Sequence, residues 1–170
     1  VDQSKSMFFG SVKRTKSVVA AELAALAAFR ILKEGDRVGG VVFADEGTDV
    51  IYPKRDRKNI LRFLGKIVNR NKELQHSAPV DFEPSLNAVF AKIRNLVTHD
   101  FLILIISDFH RYHPQTIKDI AYLSRHNDVI LAKVFDPMER EIPEANIVAS
   151  DERRQSLLPG KHKKNRDRFY

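Results

Sequence analysis

Two acidic residues that lie far apart in the chain have the right neighbours for a metal site. Asp2, Ser4 and Ser6 form an Asp-x-Ser-x-Ser motif, and Asp108 comes two residues after the apolar run 101–106. Carboxylates and hydroxyls offer only hard oxygen ligands, which suit Mg²⁺ or Mn²⁺ and leave coordination positions for water or for an oxygen atom of a partner. The residue types therefore favour binding of a partner over cleavage of a bond.

Alternating helices and strands must position these residues. The hydrophobic periodicity and the turn residues predict helices over 11–33, 57–68, 83–97 and 114–125, strands over 37–43, 49–52, 101–106 and 129–135, and a short edge strand over 145–149. The run 101–106 is apolar at every position, which is typical of a parallel strand buried on both faces. The pattern predicts an α/β fold, a doubly wound and mostly parallel sheet with helices on both faces and an antiparallel edge hairpin.

In such a sheet, ligands bind beyond the carboxyl ends of the strands, where the connections diverge to opposite faces. Asp2 and Asp108 both stand at predicted strand ends, so they meet in one crevice if their strands are neighbours, with Ser4 and Ser6 in the adjoining loop. The same residues also suit a plain turn, in which the Asp2 carboxylate accepts backbone N–H groups. Because an Asp-x-Ser-x-Ser loop should follow a buried strand, we expect the chain to be a fragment that begins at the end of its central strand.

Composition limits the class of protein. The 170 residues are 43% hydrophobic, which fits one domain over 1–150, and the sequence contains no Cys, which favours the cytoplasm. The longest apolar runs are far shorter than the ~20 residues of a membrane helix. The formal charge of +7 is concentrated in a basic tail over 151–170, with seven Lys or Arg residues and three acids. Such a tail could contact nucleic acid, anionic lipid or an acidic partner, or be a solvated segment.

The acidic and hydroxyl motifs are similar to those of the von Willebrand factor A superfamily, whose metal-ion-dependent adhesion site uses Asp-x-Ser-x-Ser, a distant Thr and a later Asp. More narrowly, the chain resembles a bacterial family of von Willebrand factor A-like domains of unknown function, often encoded beside MoxR-type ATPases. The segments that carry this second resemblance span nearly the whole chain: 2–7, 9–11, Lys16, 35–39, 107–109 and 135–141.

The resemblance implies a metal site built from Asp2, Ser4, Ser6 and Asp108 together with a Thr that precedes the third helix. In this chain Val80 stands where that Thr is expected, and valine cannot ligate a cation. Either Asp81 and water complete a weaker site for Mg²⁺ or Mn²⁺, or metal binding is lost and the fold remains as a binding scaffold.

The resemblance implies a non-catalytic protein-interaction module whose partner is a MoxR-type ATPase or its client, in the assembly or maturation of other proteins. Lys13, Lys16 and Phe109 are the candidate partner contacts. The two lysines lie near a helix start, where the helix dipole prefers acids, so they either attract a partner's carboxylate or phosphate or belong to a solvated loop.

Two other functions are weaker alternatives. A Mg²⁺-dependent hydrolase with Asp2 as nucleophile would require a second acid at the position of Ser4, and the sequence has none there. Nucleic-acid binding through the tail would be favoured by aromatic residues among the basic ones, whereas Phe169 and Tyr170 follow all the charges.

Overall fold

Helices and strands alternate along most of the chain. The computed structural model describes residues 1–45, 47–74, 82–110, 112–140, 147–150 and 155–158. In these residues the α-helices are α1 (Lys16–Lys33), α2 (Arg57–Glu73), α3 (Phe82–Leu96), α4 (Pro114–Leu123) and the short α5 (Pro137–Arg140). The strands are β1 (Val38–Phe43), β2 (Thr48–Lys54), β3 (Leu102–Ser107), β4 (Asp128–Lys133), β5 (Ile147–Ser150) and β6 (Gln155–Leu158), and a 3₁₀ turn spans Lys5–Met7.

The loop before α1 is longer than the sequence pattern predicts. The helix begins at Lys16 instead of at position 11, and the Lys16 backbone N–H donates to the Phe9 carbonyl at 2.8 Å. Gly10 lies so close to this returning loop that a Cβ atom there would be 2.4 Å from the Arg14 carbonyl oxygen. The loop is therefore folded back on itself, and this fold fixes where α1 starts.

Residues 1–3 connect two pairs of strands. β1 and β2 form an antiparallel hairpin, and β3 and β4 pair in parallel. The Gln3 N–H donates to the Phe43 carbonyl of β1 at 2.8 Å, and the Asp2 N–H donates to the Ile106 carbonyl of β3 at 2.9 Å. Asp2 also forms a parallel bridge with Phe43. The first residues thus lie between the hairpin and the parallel pair.

Helices cover both faces of these strands. Successive residues of a strand point to opposite faces, and the core divides in this way at Val42 and Phe43 of β1 and at Ile105 and Ile106 of β3. The first cluster contains Met7, Ala20, Ala24, Val42, Phe63, Ile67, Ile106 and Val134, and the second contains Phe43, Val89, Phe90, Ile105 and Leu123. α1 and α2 therefore pack on one face, and α3 and α4 on the other.

The mixed α/β class, the hairpin and the parallel pairing of the run 101–106 are confirmed. The described strands form three separate pairs, β1–β2, β3–β4 and β5–β6, so a complete doubly wound sheet is not seen among them. β6 was not predicted and lies inside the stretch assigned to the tail, of which 151–154 and 159–170 are outside the described residues. Among the described helices, none has both the length and the apolar character needed to cross a membrane.

Candidate functional site

Asp2 is buried between the carboxyl ends of β1 and β3. Its side chain is 2% exposed. Its Oδ1 accepts the Ser4 backbone N–H at 2.9 Å, and its Oδ2 accepts the Ser107 hydroxyl at 2.5 Å. Both carboxylate oxygens are therefore bonded to uncharged donors.

Asp108 directly follows β3 and is buried to the same degree, with 2% exposure. Its Oδ1 accepts the His110 backbone N–H at 3.1 Å, and its Oδ2 lies 2.8 Å from Lys16 Nζ. The next residue, Phe109, has a φ of +60°, a left-handed conformation that non-glycine residues seldom adopt. The chain therefore turns sharply away at this carboxylate.

The structure brings Asp2 and Asp108 together, and Ser107 is the link between them. Ser107 is completely buried, donates to Asp2 and immediately precedes Asp108. Burial raises the pKa of Asp2; the hydrogen bonds from Ser107 and Ser4 oppose the shift, and the charge of Asp108 adds to it. The pKa of Tyr112 is also raised. Burial is the largest cause, and the charges of Asp2 and Asp108 add to it. Tyr112 therefore borders the same crevice.

The two serines of the motif lie side by side in the adjoining turn. Their hydroxyl oxygens are 3.2 Å apart; Ser4 is fully buried and Ser6 is partly exposed. The turn is held from the hairpin side, because Asp45 Oδ2 accepts the Lys5 backbone N–H at 2.5 Å. Asp45 lies two residues after β1, and no local sequence pattern marks it as an anchor of this loop.

Lys16 and Lys13 lie in different environments. Lys16 is 3% exposed, and its Nζ lies 2.8 Å from Asp108 Oδ2 and 2.5 Å from Glu139 Oε1. Lys13 is exposed in the loop before α1. The third candidate partner contact, Phe109, is partly buried, and its ring packs edge-on against Tyr112 with the ring centroids 4.8 Å apart.

Burial and pairing oppose each other in the Lys16–Asp108 pair. Burial alone would lower the pKa of Lys16, but the hydrogen bonds and charges of Asp108 and Glu139 outweigh it, so the pKa is raised above its ordinary value of 10.5. Burial would likewise raise the pKa of Asp108, but the hydrogen bond and charge of Lys16 lower it below 3.8. Both groups are therefore charged at neutral pH.

Asp136 and Glu139 form a corner that closes over the start of the first helix. Asp136 accepts the Ser11 backbone N–H at 2.8 Å and also the Ser11 hydroxyl, and it caps α5 through the Met138 N–H at 2.9 Å. Glu139 Oε2 accepts the Asp136 N–H at 3.0 Å, while its other oxygen contacts Lys16. The motif over 135–141 was noted for its family resemblance, but nothing in its local pattern shows that it reaches Lys16.

In this arrangement the carboxylates of Asp2 and Asp108 are hydrogen-bonded to protein groups. Each carboxylate oxygen of Asp2 and Asp108 already has a protein donor, and the donor at Asp108 Oδ2 is itself a cation. Within the described ranges, no group of three or more His, Asp or Glu residues is placed to hold a metal. Val80 and Asp81 lie outside the described residues. The metal assignment of Asp2, Ser4, Ser6, Asp81 and Asp108 stays a prediction.

An apolar cleft of about 190 Å³ lies away from these polar groups. Its walls include Phe90, Ile93 and Leu96 of α3 and the opening residues of β1 and β3, among them Val38 and Leu102. The described residues that line it include none of the predicted site residues. Val1 and Phe43 also line the cleft, so it reaches the first residues of the chain without including the side chains of the crevice.

The described residues form a mixed α/β fold with acidic and hydroxyl side chains at its strand ends. The family described as "Protein of unknown function DUF58" matches residues 1–169, and the chain belongs to this family. This confirms the bacterial family, often found near MoxR-type ATPases, that the sequence motifs indicated. No curated protein and no solved structure matches the chain significantly.

Proposed function

We propose that this chain is a non-catalytic protein-binding module of the von Willebrand factor A type. Its crevice, formed by Asp2, Ser4, Ser6 and Asp108, receives a protein partner. The family context supports a MoxR-type ATPase or one of its clients as that partner, with the pair acting in the assembly or maturation of other proteins. In this proposal residues 1–3 belong to the central strand of a doubly wound sheet.

The position of residues 1–3 carries the proposal. Their hydrogen bonds to Phe43 and Ile106 put Asp2 beside Ser107, and therefore beside Asp108, at the carboxyl ends of neighbouring parallel elements. Ligands of α/β sheets bind at this edge. Ser6 is partly exposed, whereas Asp2, Ser4 and Asp108 are buried, so Ser6 is the residue of the motif nearest to an incoming partner.

The environment of Asp2 favours binding over hydrolysis. A nucleophilic carboxylate must be ionised and must reach its substrate. Asp2 is 2% exposed, both its oxygens accept hydrogen bonds, and burial raises its pKa. These properties suit a structural acid in the floor of a crevice.

Calorimetric titration of the chain with a purified MoxR-type ATPase tests the proposal. Ser6→Ala removes the hydroxyl of the partly exposed serine, and we expect it to weaken binding by about two- to tenfold, the loss of one hydrogen bond to the partner. Ser124→Ala is the matched control, because Ser124 is exposed and its hydroxyl bonds only to the nearby Ala121 carbonyl among the described contacts. The control should bind like the unaltered chain.

Three results would contradict the proposed binding function. The first is equal affinity of Ser6→Ala and the unaltered chain for an ATPase that binds the chain. The second is phosphatase activity that Asp2→Asn abolishes, which would support the hydrolase. The third is tight DNA binding with a steep dependence on salt, which would support a nucleic-acid function.

A further inference from the structure

We propose that the ammonium group of Lys16 is the resident cation of the crevice, standing beside Asp108 where a divalent ion would otherwise lie. The inference rests on the proposed function only for the choice of the crevice, since it concerns the isolated chain. It assigns the site to the class that recognises a partner without a bridging metal.

The geometry supports an internal cation. Lys16 Nζ lies 2.8 Å from Asp108 Oδ2 and 2.5 Å from Glu139 Oε1, and the side chain is 3% exposed. A buried lysine without counter-charges would lose its proton or leave the interior. Here two carboxylates from distant segments hold it, so the ammonium is built into the fold.

The backbone also fixes the position of this cation. Lys16 is the first residue of α1, and its N–H donates to the Phe9 carbonyl at 2.8 Å. The side chain therefore starts from an anchored point beside the Asp-x-Ser-x-Ser turn. Lys13, three residues earlier, is exposed, so burial is particular to Lys16 and not general to the lysines of this loop.

Electrostatics then disfavours a second cation. A divalent ion that shared Asp108 with Lys16 would lie within a few ångströms of the ammonium, and like charges at such a separation repel strongly even at the effective dielectric constant of a protein. The remaining oxygens of Asp2 and Asp108 already accept protein donors. Removal of the Lys16 charge frees Asp108 Oδ2 and abolishes this repulsion. It should therefore create affinity for a divalent cation.

Titration with MgCl₂ and MnCl₂ by calorimetry tests this inference on three proteins. These are the unaltered chain, Lys16→Met and the exposed control Lys13→Met. Methionine replaces the charged side chain of lysine with an uncharged one that is also unbranched. We expect no saturable binding to the unaltered chain or to the control over a concentration range in which Lys16→Met reaches saturation, with a dissociation constant at least about tenfold below the highest concentration tested.

Saturable Mg²⁺ or Mn²⁺ binding by the unaltered chain would overturn the inference, and so would a folded Lys16→Met variant that binds no better. If Lys16→Met fails to fold, the double variant Lys16→Met with Glu139→Gln removes one charge of each sign and is titrated in the same way. These measurements use no partner protein, so they can fail while the proposed binding function stands, and the reverse also holds.

Discussion

Asp2 and Asp108 lie at neighbouring strand ends and are equally buried, yet their pKa values move in opposite directions. Asp2 receives only neutral donors, the Ser4 N–H and the Ser107 hydroxyl, and its pKa is raised. Asp108 receives the Lys16 ammonium, and its pKa is lowered. The comparison shows that the partner atoms, and not the depth of burial alone, decide the direction in which the pKa of each carboxyl group moves.

The largest expected effect on stability comes from removal of the Lys16 ammonium, which distinguishes the environment of Asp108 from that of Asp2. Lys16→Ala leaves Asp108 buried without its counter-charge, and we expect the free energy of unfolding to fall by about 3 kcal/mol. Urea unfolding measures this change. Lys13→Ala, at an exposed position, should stay within about 0.5 kcal/mol of the unaltered chain. A similar small loss for both variants would mean that the Asp108 pair adds nothing to stability.

A smaller effect is expected where the two carboxylates are linked. Ser107 donates to Asp2 at 2.5 Å and accepts the Phe109 N–H at 3.1 Å, so Ser107→Ala should cost about 1 to 2 kcal/mol. Because the Ser107 hydrogen bond lowers the pKa of Asp2, its loss should raise that pKa further. Carboxyl titration by NMR measures the shift. An unchanged Asp2 titration would show that Ser107 does not connect the two sites.

The smallest effect on stability at neutral pH is expected for Asp2→Asn. The pKa of Asp2 is raised above 3.8 in the folded state, so its ionisation opposes folding as the pH rises from 3.8 through the raised value. Asp2→Asn removes this cost and should be at least as stable as the unaltered chain at neutral pH.

Asp108 has the opposite pH dependence. Its pKa is lowered, so its stabilisation is present above 3.8 and is lost as the pH falls through the lowered value. Urea unfolding over a range of pH should show the acid-side loss in Asp2→Asn but not in Asp108→Asn. Equal pH profiles for the two variants would remove the distinction between the carboxylates.

The sequence predicted the elements better than their connections. Periodicity located the main helices, and α2 begins at the predicted position 57, where Asp56 caps it by accepting the Lys58 N–H at 2.9 Å. The predicted start of the first helix was wrong, because the backbone bond between Lys16 and Phe9 and the tight approach at Gly10 belong to tertiary loop geometry. A period of hydrophobic residues carries no information about such a loop.

For the candidate site, the sequence identified the acids but not their partners. Asp2 and Asp108 could be predicted to meet because both follow strands. The burial of Lys16 could not, since its two carboxylate partners are 92 and 123 positions away in the chain. Helix-start position alone indicates an exposed lysine, and only the packing of Glu139 against the crevice reverses that expectation.

The corner formed by Asp136 and Glu139 has a consequence for the order of folding. Ser11 and Asp136 are separated by 125 positions, so their hydrogen bonds can form only after the whole segment between them has been synthesised. Contacts of such long sequence separation close slowly because much chain entropy is lost before they are made. During synthesis on the ribosome, the β1–β2 hairpin can therefore form well before the Lys16 ammonium meets Glu139.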